Sequence, residues 1–392
     1  MERTQVAIVG AGPAGLLLAH LLAADGIDVV VLEARSREYV EQRVRAGVCE
    51  HPTVELLRSL GLADRLDREG LPHEGLTLRF DRADHRIDLR ALTGKVITVY
   101  GQQELVKDLI AARLATGASI EFEVADVALH DLDTEAPRLT WADADGVRHE
   151  LRCDAVAGCD GFHGVCRPSI PSGALTVHDH AYPYAWLGVL AKTPPSHHEL
   201  IYARHRRGFA LHSMRSPEVT RLYLQVGPDE PLVGWSDARI WDELAARLEV
   251  EGQFTLREGP VLEKGITPMR GFVAEPMRYG RLFLAGDAAH IVPATGAKGM
   301  NLAIADVRRL APALVALLRH RRAELADAYS ERCLRRVWRA EHFSYFMTTM
   351  LHRAPGDDAF IDRLQLSQLR YVTGSTAAAT GLAENYVGLP FD

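Results

Sequence analysis

Short apolar runs and amphipathic stretches alternate along the first third of the chain. An apolar run over residues 6–9 leads into Gly10-Ala-Gly12-Pro-Ala-Gly15. The periodicity then predicts a helix from Pro13 to Ala24, and a second apolar run over residues 29–32 ends at Glu33. Strand, glycine-rich turn, helix and strand in this order predict a βαβ unit.

The following segment combines the periodicity of helices with the period-two alternation of strands. We expect a helix over residues 53–66, strands between 76 and 99, and a helix over residues 103–115. A small β unit is then predicted from residues 119–128, 138–141 and 147–151.

From Tyr182 to about Arg270 the pattern changes to a period of two, interrupted by one predicted helix near residues 237–248. This alternation predicts a separate antiparallel sheet. A further apolar strand ends in Gly286-Asp287, after which the chain reads as helical over 298–320, 323–352 and 357–370.

The predicted fold class is therefore α/β, with a discontinuous Rossmann-like nucleotide-binding domain, an inserted antiparallel-sheet substrate domain and C-terminal helices. We assign residues 1–73, 101–180 and 271–300 to the first domain. Residues 74–100 and 181–270 form the second, and residues 301–392 form the helical region.

Composition narrows the class of protein. The 392 residues are 47% hydrophobic and 25% charged, which suits a large core, and the net charge of −7 provides no general attraction to nucleic acid or anionic membrane. The longest nearly apolar stretch, residues 310–318, is too short to span a bilayer. Because the first strand begins almost at once, we expect no signal peptide and a cytoplasmic protein.

The cysteines and histidines do not suggest a metal or a disulfide framework. Five cysteines form an odd set without a Cys-x-x-Cys pair, and the 17 histidines show no His-x-x-x-His spacing. We therefore expect no bound metal.

The glycine-rich turn is the first candidate binding site. Gly10 permits a tight turn, Gly12 lets the backbone approach a pyrophosphate, and Gly15 lets the helix pack closely on the sheet. Glu33 stands near the position of an acid that binds a ribose hydroxyl. A chance glycine-rich turn is the alternative, but the strand, helix and acid in register favour a dinucleotide site.

The Gly286-Asp287 strand end indicates a flavin. The Asp287 carboxylate could accept a hydrogen bond from a ribityl hydroxyl, although a plain helix N-cap is the alternative. The helix start at Gly299, Met300 and Asn301 would stabilise negative charge on a reduced flavin ring, and Lys298 would add positive charge.

A third motif, Cys159-Asp160-Gly161-Phe162-His163, completes a specific order of three motifs. Together they resemble the single-component flavoprotein aromatic hydroxylases, and within that family the members that act on 4-hydroxybenzoate. The resemblance runs from Gln5 to Pro390, and it is carried by Arg43-Val-Arg45-Ala-Gly, Gly70-Leu-Pro-His73-Glu-Gly, Val99-Tyr-Gly-Gln102, Glu199-Leu-Ile-Tyr202-Ala, Gly208-Phe-Ala-Leu-His-Ser213-Met-Arg215-Ser and Glu384-Asn-Tyr386-Val-Gly-Leu-Pro390.

The resemblance implies tightly bound FAD and hydroxylation of 4-hydroxybenzoate at C3 by NAD(P)H and O₂, through a flavin C4a-hydroperoxide. It adds Arg45, Gln102 and Asp160 to the flavin site. It implies that Ser213, Arg215 and Tyr223 hold the substrate carboxylate, a role for which the planar guanidinium of an arginine is well shaped.

The resemblance also implies a proton relay. Tyr202 contacts the phenolic oxygen, and Tyr386 and His73 carry its proton to solvent. Tyrosine can pass a proton along a hydrogen-bonded chain, and histidine titrates in the range suited to exchange with water.

No second glycine fingerprint exists, so the nicotinamide coenzyme must bind on the surface. The resemblance implies a groove formed by Arg35, Tyr39, Arg43, Arg45, Phe162, His163, Arg167 and Arg270. Arg35 and Arg37 favour NADPH over NADH, whereas Ala34 departs from the family's Arg-Gln after the glutamate and weakens that preference.

Ala294 is another departure, because the family usually has a second proline after Pro293. We expect a looser loop at the ring-binding end, which leaves 4-aminobenzoate or a 3-substituted 4-hydroxybenzoate open as substrates. A flavin oxidase and a flavin-binding sensor are the alternatives from other classes. The family also implies a homodimer with contacts through the C-terminal helices.

Overall fold

The first apolar run lies in the middle of a parallel sheet. In a computed structural model, which describes residues 2–45, 47–252 and 254–391, residues Val6–Val9 pair in parallel with Val29–Leu32 on one side and with Ala155–Gly158 on the other. The helix Pro13–Ala24 has the predicted bounds. Met1 and Asp392, the outer ends of the predicted domains, and Ala46 lie outside the described residues.

The strands are β1 (Glu2–Arg3), β2 (Val6–Val9), β3 (Val29–Leu32), β4 (Val48–Cys49), β5 (Leu71–His73), β6 (Gly75–Phe80), β7 (Ala83–Asp88), β8 (Ile97–Val99), β9 (Ala125–His130), β10 (Arg138–Ala142), β11 (Arg148–Arg152), β12 (Ala155–Gly158), β13 (Thr176–Ala191), β14 (Leu200–Ala203), β15 (Ala210–Ser216), β16 (Val219–Val226), β17 (Val261–Glu275), β18 (Arg278–Tyr279), β19 (Leu282–Leu284) and β20 (His290–Ile291). The α-helices are α1 (Pro13–Ala24), α2 (Arg37–Gln42), α3 (His51–Ser59), α4 (Asp64–Glu69), α5 (Leu89–Thr93), α6 (Gln102–Ala115), α7 (Asp237–Arg247), α8 (Gly299–His320), α9 (Glu324–Asp327), α10 (Tyr329–Leu351), α11 (Ala359–Gly374) and α12 (Thr376–Val387).

Over the described residues these strands form four sheets. The nucleotide-binding sheet has the order β18-β19-β12-β2-β3 and is flanked by a four-stranded sheet, β1-β11-β10-β9. The large sheet has the order β20-β17-β13-β16-β15-β14-β6-β7, and a small sheet has the order β4-β8-β5. The period-two alternation from residue 182 onward thus corresponds to the large, mainly antiparallel sheet.

Two elements cross the predicted domain boundaries. The strand β8 pairs with β4 and β5 rather than with the large sheet. The strand β20, which we had placed with the nucleotide-binding residues, pairs with Phe272 and Val273 of β17 and so belongs to the large sheet.

Local turns explain the other differences from the predicted elements. The helix expected over residues 53–66 is divided into α3 and α4 at Gly61, whose φ of +68° ends the first helix. The strand pattern after β7 is interrupted by α5, which the Asp88 carboxylate caps and which Gly94 ends at φ +71°. The helix α12 was not predicted.

A buried aromatic cluster connects the large sheet to the C-terminal helices. Tyr202 of β14, Phe209 and Trp186 pack against helices α10 to α12 in a core that also contains Tyr386. Trp186 donates its indole N–H to Nε2 of His352 at 2.6 Å, and Nδ1 of that ring lies 3.0 Å from the Thr348 carbonyl. These partners require the neutral imidazole, and burial lowers the pKa of His352 to about 3.

Among the described residues, no helix is both long and apolar enough to cross a membrane.

The buried His352 predicts an acid-sensitive fold. Below about pH 6.5 the unfolded state binds a proton that the folded state excludes, so stability falls as the pH falls. Between pH 7.5 and 5.5 this residue should account for about 1.4 kcal/mol of lost unfolding free energy. In urea unfolding, His352→Gln should show a pH-dependent loss smaller by that amount, whereas the exposed His320→Gln should behave as wild type; equal losses in both variants would contradict the assignment.

Candidate active site

The backbone around the glycine turn is packed so closely that two of its glycines cannot carry a side chain. A Cβ on Gly10, whose φ is +105°, would lie 2.3 Å from the Cys159 carbonyl oxygen, and one on Gly15 would lie 2.0 Å from the Gly10 oxygen. A Cβ on Gly12 would meet no atom within 4 Å. The turn therefore packs tightly on its sheet side and is open at Gly12, where a pyrophosphate would approach.

Glu33 supports this turn from the end of β3. One carboxylate oxygen accepts a hydrogen bond from the Ala11 amide at 2.7 Å, and the other accepts one from the Arg35 amide at 2.8 Å. Each oxygen has a second lone pair, so the carboxylate can still accept a bond from a ribose hydroxyl.

The second flavin motif rests on a buried ion pair. Asp306 of α8 accepts hydrogen bonds from the Gly286 amide at 3.0 Å and from His290 Nε2 at 2.6 Å. Burial opposes the charge on His290, but Asp306 outweighs it and raises the histidine pKa. This pair holds the Gly286 turn so that Asp287 is exposed next to buried neighbours.

The start of α8 at Gly299 provides the amide groups expected at the flavin ring, because the first turn of a helix has unpaired N–H groups. The Asn301 side chain instead secures the loop. Its oxygen accepts bonds from the Glu50 amide and the Thr53 hydroxyl, both at 2.9 Å, and its amide donates to the carbonyls of Val48 and Ala297.

Lys298 lies in a different environment from the one expected. Its ammonium is buried, donates to the Glu50 carboxylate at 2.6 Å and donates to the carbonyl of Asn385. Burial lowers the pKa of Lys298, and Glu50 opposes this shift. The positive charge that we expected Lys298 to add is therefore compensated by Glu50, which the sequence analysis did not single out.

The three remaining flavin candidates lie in separate elements. Gln102 begins α6, and the backbone carbonyl of Arg45 accepts a bond from Arg215. Asp160 accepts a bond from the Cys166 amide at 2.8 Å through one oxygen, while its other oxygen is buried without a partner among the described residues.

The expected carboxylate-binding residues lie on adjacent strands of the large sheet. Ser213 and Arg215 are on β15, and Tyr223 follows on β16. Arg215 donates to the Met214 carbonyl at 2.9 Å and to the Arg45 carbonyl at 3.1 Å, and its Nη2 lies 3.4 Å from the Tyr223 hydroxyl. Its Nε is buried without a partner among the described residues.

Arg221 is a site residue that the sequence analysis missed. It pairs with Ser213 across the sheet, its guanidinium carbon lies 5.1 Å from the Tyr223 ring centre, and its Nε and Nη1 are buried without partners among the described residues. Burial would raise the pKa of Tyr223, but Arg215 and Arg221 outweigh it and lower that pKa. The signal was present, since Arg221 and Tyr223 share one face of a period-two strand.

In the described part of the chain, neither Arg215 nor Arg221 has a carboxylate within ion-pair distance. Two such guanidinium groups in a partly buried position are unfavourable unless an anion joins them. The arrangement is therefore suited to a carboxylate ligand.

The two relay tyrosines are in direct contact. The hydroxyl of Tyr202 lies 2.6 Å from that of Tyr386, and both side chains are buried. Burial raises the pKa of Tyr202, and burial together with Tyr202 raises the pKa of Tyr386. Both phenols are therefore neutral at physiological pH, so the pair can transfer a proton but cannot store negative charge.

His73 differs from the solvent-exchanging histidine that we expected. It lies in β5, is 1% exposed, and has no hydrogen-bond partner for either ring nitrogen among the described residues. Burial lowers its pKa to about 4, against an opposing effect of Glu199. The imidazole is thus neutral at pH 7, and the structure describes no direct bond from it to Tyr386.

The loop containing Ala294 is anchored directly after that residue. Residues Ala294–Gly296 form a 3₁₀ turn, and the Thr295 hydroxyl accepts a bond from Thr348 of α10 at 2.9 Å. A Cβ on Gly296 would lie 2.4 Å from the Ser344 hydroxyl. Contacts with α10 therefore hold Thr295 and Gly296, and a looser loop at Ala294 stays a prediction.

The expected coenzyme residues form two clusters. In the first, the guanidinium groups of Arg35 and Arg43 lie 5.3 and 5.7 Å from the ring centre of Tyr39. All three side chains are exposed, and Arg45 follows in the same segment.

The second cluster surrounds Phe162. Arg167 and Arg270 lie 4.6 and 4.5 Å from its ring centre, and the His163 ring is 5.0 Å away. Arg270 is paired with Asp179 at 2.7 Å, so part of its charge is compensated. Arg167 also donates to the Ala288 carbonyl at 2.9 Å, which places this cluster beside the flavin motif.

These features fit an FAD. The open backbone at Gly12, the carboxylates of Glu33 and Asp287 and the helix start at Gly299 supply the donors and acceptors that a dinucleotide and a flavin ring require.

Comparison with known proteins agrees with this geometry. Residues 3–344 match the model of the FAD binding domain family. The chain therefore belongs to that family of FAD-dependent aromatic hydroxylases, and it is an oxidoreductase with a monooxygenase fold.

Within the family, the chain is 49% identical over 391 residues to p-hydroxybenzoate hydroxylase of Acinetobacter baylyi, covering 100% of this chain and 96% of that protein. It is also 28% identical over 364 residues to a probable NADH-specific resorcinol 4-hydroxylase of Rhodococcus jostii, covering 84% of this chain and 62% of that protein.

Among solved structures, p-nitrophenol 4-monooxygenase of Pseudomonas putida superposes with a TM-score of 0.86 at 21% identity and covers 99% of both chains. Aklavinone-11 hydroxylase in complex with FAD and aklavinone superposes with a TM-score of 0.74 at 24% identity, covering 90% of this chain and 70% of that one. Both likenesses concern the fold.

The glycine geometry predicts two different mutant phenotypes. Gly12→Ala should fold normally, because its Cβ meets no protein atom, but should bind FAD at least about tenfold more weakly because that Cβ occupies the approach of the pyrophosphate. Gly15→Ala should destabilise the apoprotein by more than about 3 kcal/mol through its clash with backbone.

Thermal unfolding of the apoproteins and titration with FAD by flavin fluorescence would measure both effects. Gly381→Ala, which has open space around it in α12, is the matched control. Normal FAD affinity in Gly12→Ala would contradict the position assigned to the pyrophosphate.

Proposed function

We propose that this chain is a 4-hydroxybenzoate 3-monooxygenase. It converts 4-hydroxybenzoate, O₂, NADPH and a proton to 3,4-dihydroxybenzoate, NADP⁺ and water. The similarity over the whole chain to p-hydroxybenzoate hydroxylase supports this substrate. The observation that carries the proposal is the pair of guanidinium groups, Arg215 and Arg221, without a carboxylate partner in the described residues.

The substrate carboxylate is held by the large sheet. Arg215 donates charge-assisted hydrogen bonds to it, and Ser213 and Tyr223 donate from their hydroxyls on the same face. This selects a benzoate over a neutral phenol, because a neutral ligand would leave the guanidinium groups unpaired.

The other end of the ring meets the tyrosine pair. Tyr202 accepts the phenolic proton of the substrate and passes its own hydroxyl proton to Tyr386 along the hydrogen bond between them. Loss of that proton makes the ring carbon beside the oxygen more nucleophilic. The neutral imidazole of His73 has one donor and one acceptor nitrogen, so we place it as the next member of this path toward solvent.

FAD, when bound, accepts a hydride from the coenzyme and supplies the activated oxygen from O₂. We propose that Gly10, Gly12, Gly15 and Glu33 hold its adenosine half. Arg45, Gln102 and Asp160 complete the FAD site. Asp287 and the start of α8 from Gly299 to Asn301 hold its flavin half. The aromatic side chains of Trp186 and Phe209, which stack 5.3 Å apart, keep water from the substrate end.

We propose NADPH as the reductant, bound on the surface by the Tyr39 and Phe162 clusters. The exposed Arg35 and Arg43 suit a 2′-phosphate, and Arg167 lies next to the flavin motif.

We further propose a homodimer through the C-terminal helices. Helix α11 exposes Phe360, Leu364 and Tyr371 by 67%, 51% and 58%. Such apolar exposure on one helix favours an interface between copies of the chain.

The activity is tested by comparing oxygen uptake with product. Wild-type holoenzyme with 4-hydroxybenzoate and NADPH should form one 3,4-dihydroxybenzoate per O₂ consumed. Peroxide without product would identify an oxidase, and the absence of substrate-stimulated NADPH oxidation would identify a sensor; either would overturn the proposal.

Arg215→Gln should weaken 4-hydroxybenzoate binding about 100-fold, or about 3 kcal/mol, and leave 4-hydroxybenzamide binding within threefold. The exposed Arg332→Gln is the control.

The tyrosine pair predicts a rate effect without a binding effect. Tyr386→Phe removes the hydroxyl that exchanges a proton with Tyr202, so product formation should slow by more than about tenfold. The dissociation constant of 4-hydroxybenzoate should change less than threefold. Single-turnover product measurements would show this, with the exposed Tyr345→Phe as control, and an unchanged rate would remove Tyr386 from the proton path.

A further inference from the structure

A cavity of about 370 Å³ lies beside the backbone of Phe209. It is bounded by the turn between β14 and β15, by α7 and by the segment after α10. None of its lining residues belongs to the flavin, coenzyme or substrate sites described above.

The cavity is strongly positive. Five of its lining residues are arginines and two are glutamates, which gives a formal charge of +3 in a chain whose net charge is −7. The arginines are Arg206, Arg207, Arg239, Arg247 and Arg353.

The two carboxylates do not balance these charges. Glu243 is shared by Arg207 and Arg247, and Glu230 pairs with Arg239 at 3.2 Å. Arg247 is only 7% exposed, and burial lowers its pKa against the opposing effect of Glu243.

Two of these five arginines lie at the rim of the cavity. Arg206 is exposed and Arg353 is half-buried, and neither has a carboxylate within ion-pair distance in the part of the chain that the structure describes. Arg353 donates instead to the backbone carbonyl of Arg206 at 3.0 Å, which holds the two residues together.

A buried donor without a partner lies next to the cavity. Trp235 lines the cavity and is 2% exposed, and its indole N–H is buried without a hydrogen-bond partner among the described residues. A buried N–H without a partner is unfavourable unless a ligand or water accepts from it.

Gly208 keeps the floor open. Its φ is +109°, and a Cβ there would lie 3.1 Å from Gln225 Oε1 and 3.2 Å from Arg247 Nη1. A side chain would therefore cover the buried guanidinium that faces this position.

We propose that this cavity binds a small organic anion with two or more negative charges, a phosphate ester or a polycarboxylate. The uncompensated Arg206 and Arg353 attract it at the rim, and the cavity has room for a ligand of this size. Binding of this anion does not require that the chain catalyses the hydroxylation proposed above.

An anion bound in this cavity would act on the aromatic cluster through the backbone of Phe209. Gln225 accepts a bond from the Phe209 amide at 3.0 Å, and Arg247 donates to the Phe209 carbonyl at 3.2 Å. The Phe209 ring in turn lies 6.1 Å from that of Tyr202. The lining of the cavity thus holds the backbone of a residue that packs against the substrate end.

Calorimetric titration of the holoenzyme tests the proposal, with inorganic pyrophosphate and citrate as probes at constant ionic strength. At least one probe should bind saturably, and the double variant Arg206→Gln/Arg353→Gln should weaken that binding at least tenfold. The control Arg332→Gln should bind as wild type. If only pyrophosphate binds saturably, the ligand belongs to the phosphate class. If only citrate binds saturably, it belongs to the polycarboxylate class. Saturable binding of both would show that the site selects for charge alone.

Tryptophan fluorescence separates this cavity from the coenzyme clusters, which could also attract pyrophosphate. Binding here should change the emission of wild type, and Trp235→Phe should lose that change while retaining FAD and hydroxylase activity. The proposal is overturned if neither probe binds saturably, or if binding is unaltered in the double variant.

Discussion

The last turn of helix α12 joins the parts of the protein that must act together. Tyr386 meets Tyr202 of the large sheet through its hydroxyl, while the carbonyls of Asn385 and Tyr386 accept from Lys298 at the start of the helix assigned to the flavin ring. Glu50 completes this contact by pairing with Lys298. A displacement of α12 would therefore disturb the proton path and the flavin helix at once, which is why a helix without a motif of its own matters to the site.

The features that could be predicted from the sequence are those in which backbone geometry demands a residue type. Gly10 and Gly15 are such positions, because any side chain there would collide with backbone, and their spacing indicated the nucleotide site. The resemblance likewise grouped Ser213, Arg215 and Tyr223, which lie on the adjacent strands β15 and β16.

Features that depend on partners distant in sequence could not be predicted in this way. The pairing of Lys298 with Glu50 spans 248 residues, and it changes a free cation into a compensated one. The burial of His73 depends on residues distant in sequence, among them Glu199, and it lowers the histidine pKa well below the range assumed from the residue type. The strand period placed Arg221 on the same face as Tyr223, but its buried nitrogens without partners among the described residues depend on the folded surroundings.

The long strands β13 and β17 have one more consequence. They pair along most of their length, with Ala181 opposite Arg270 near one end and Gly188 opposite Gly265 farther along, where Gly188 also pairs with Tyr223. Arg270 and Gly265 are five residues apart, or about 17 Å along a strand. The same pair of strands thus connects the surface assigned to the reductant with the residues assigned to the substrate carboxylate, through a register shift between Ala181 and Ala185. A substitution that bends this ribbon between Arg270 and Gly265 would therefore change the distance between the two assigned regions.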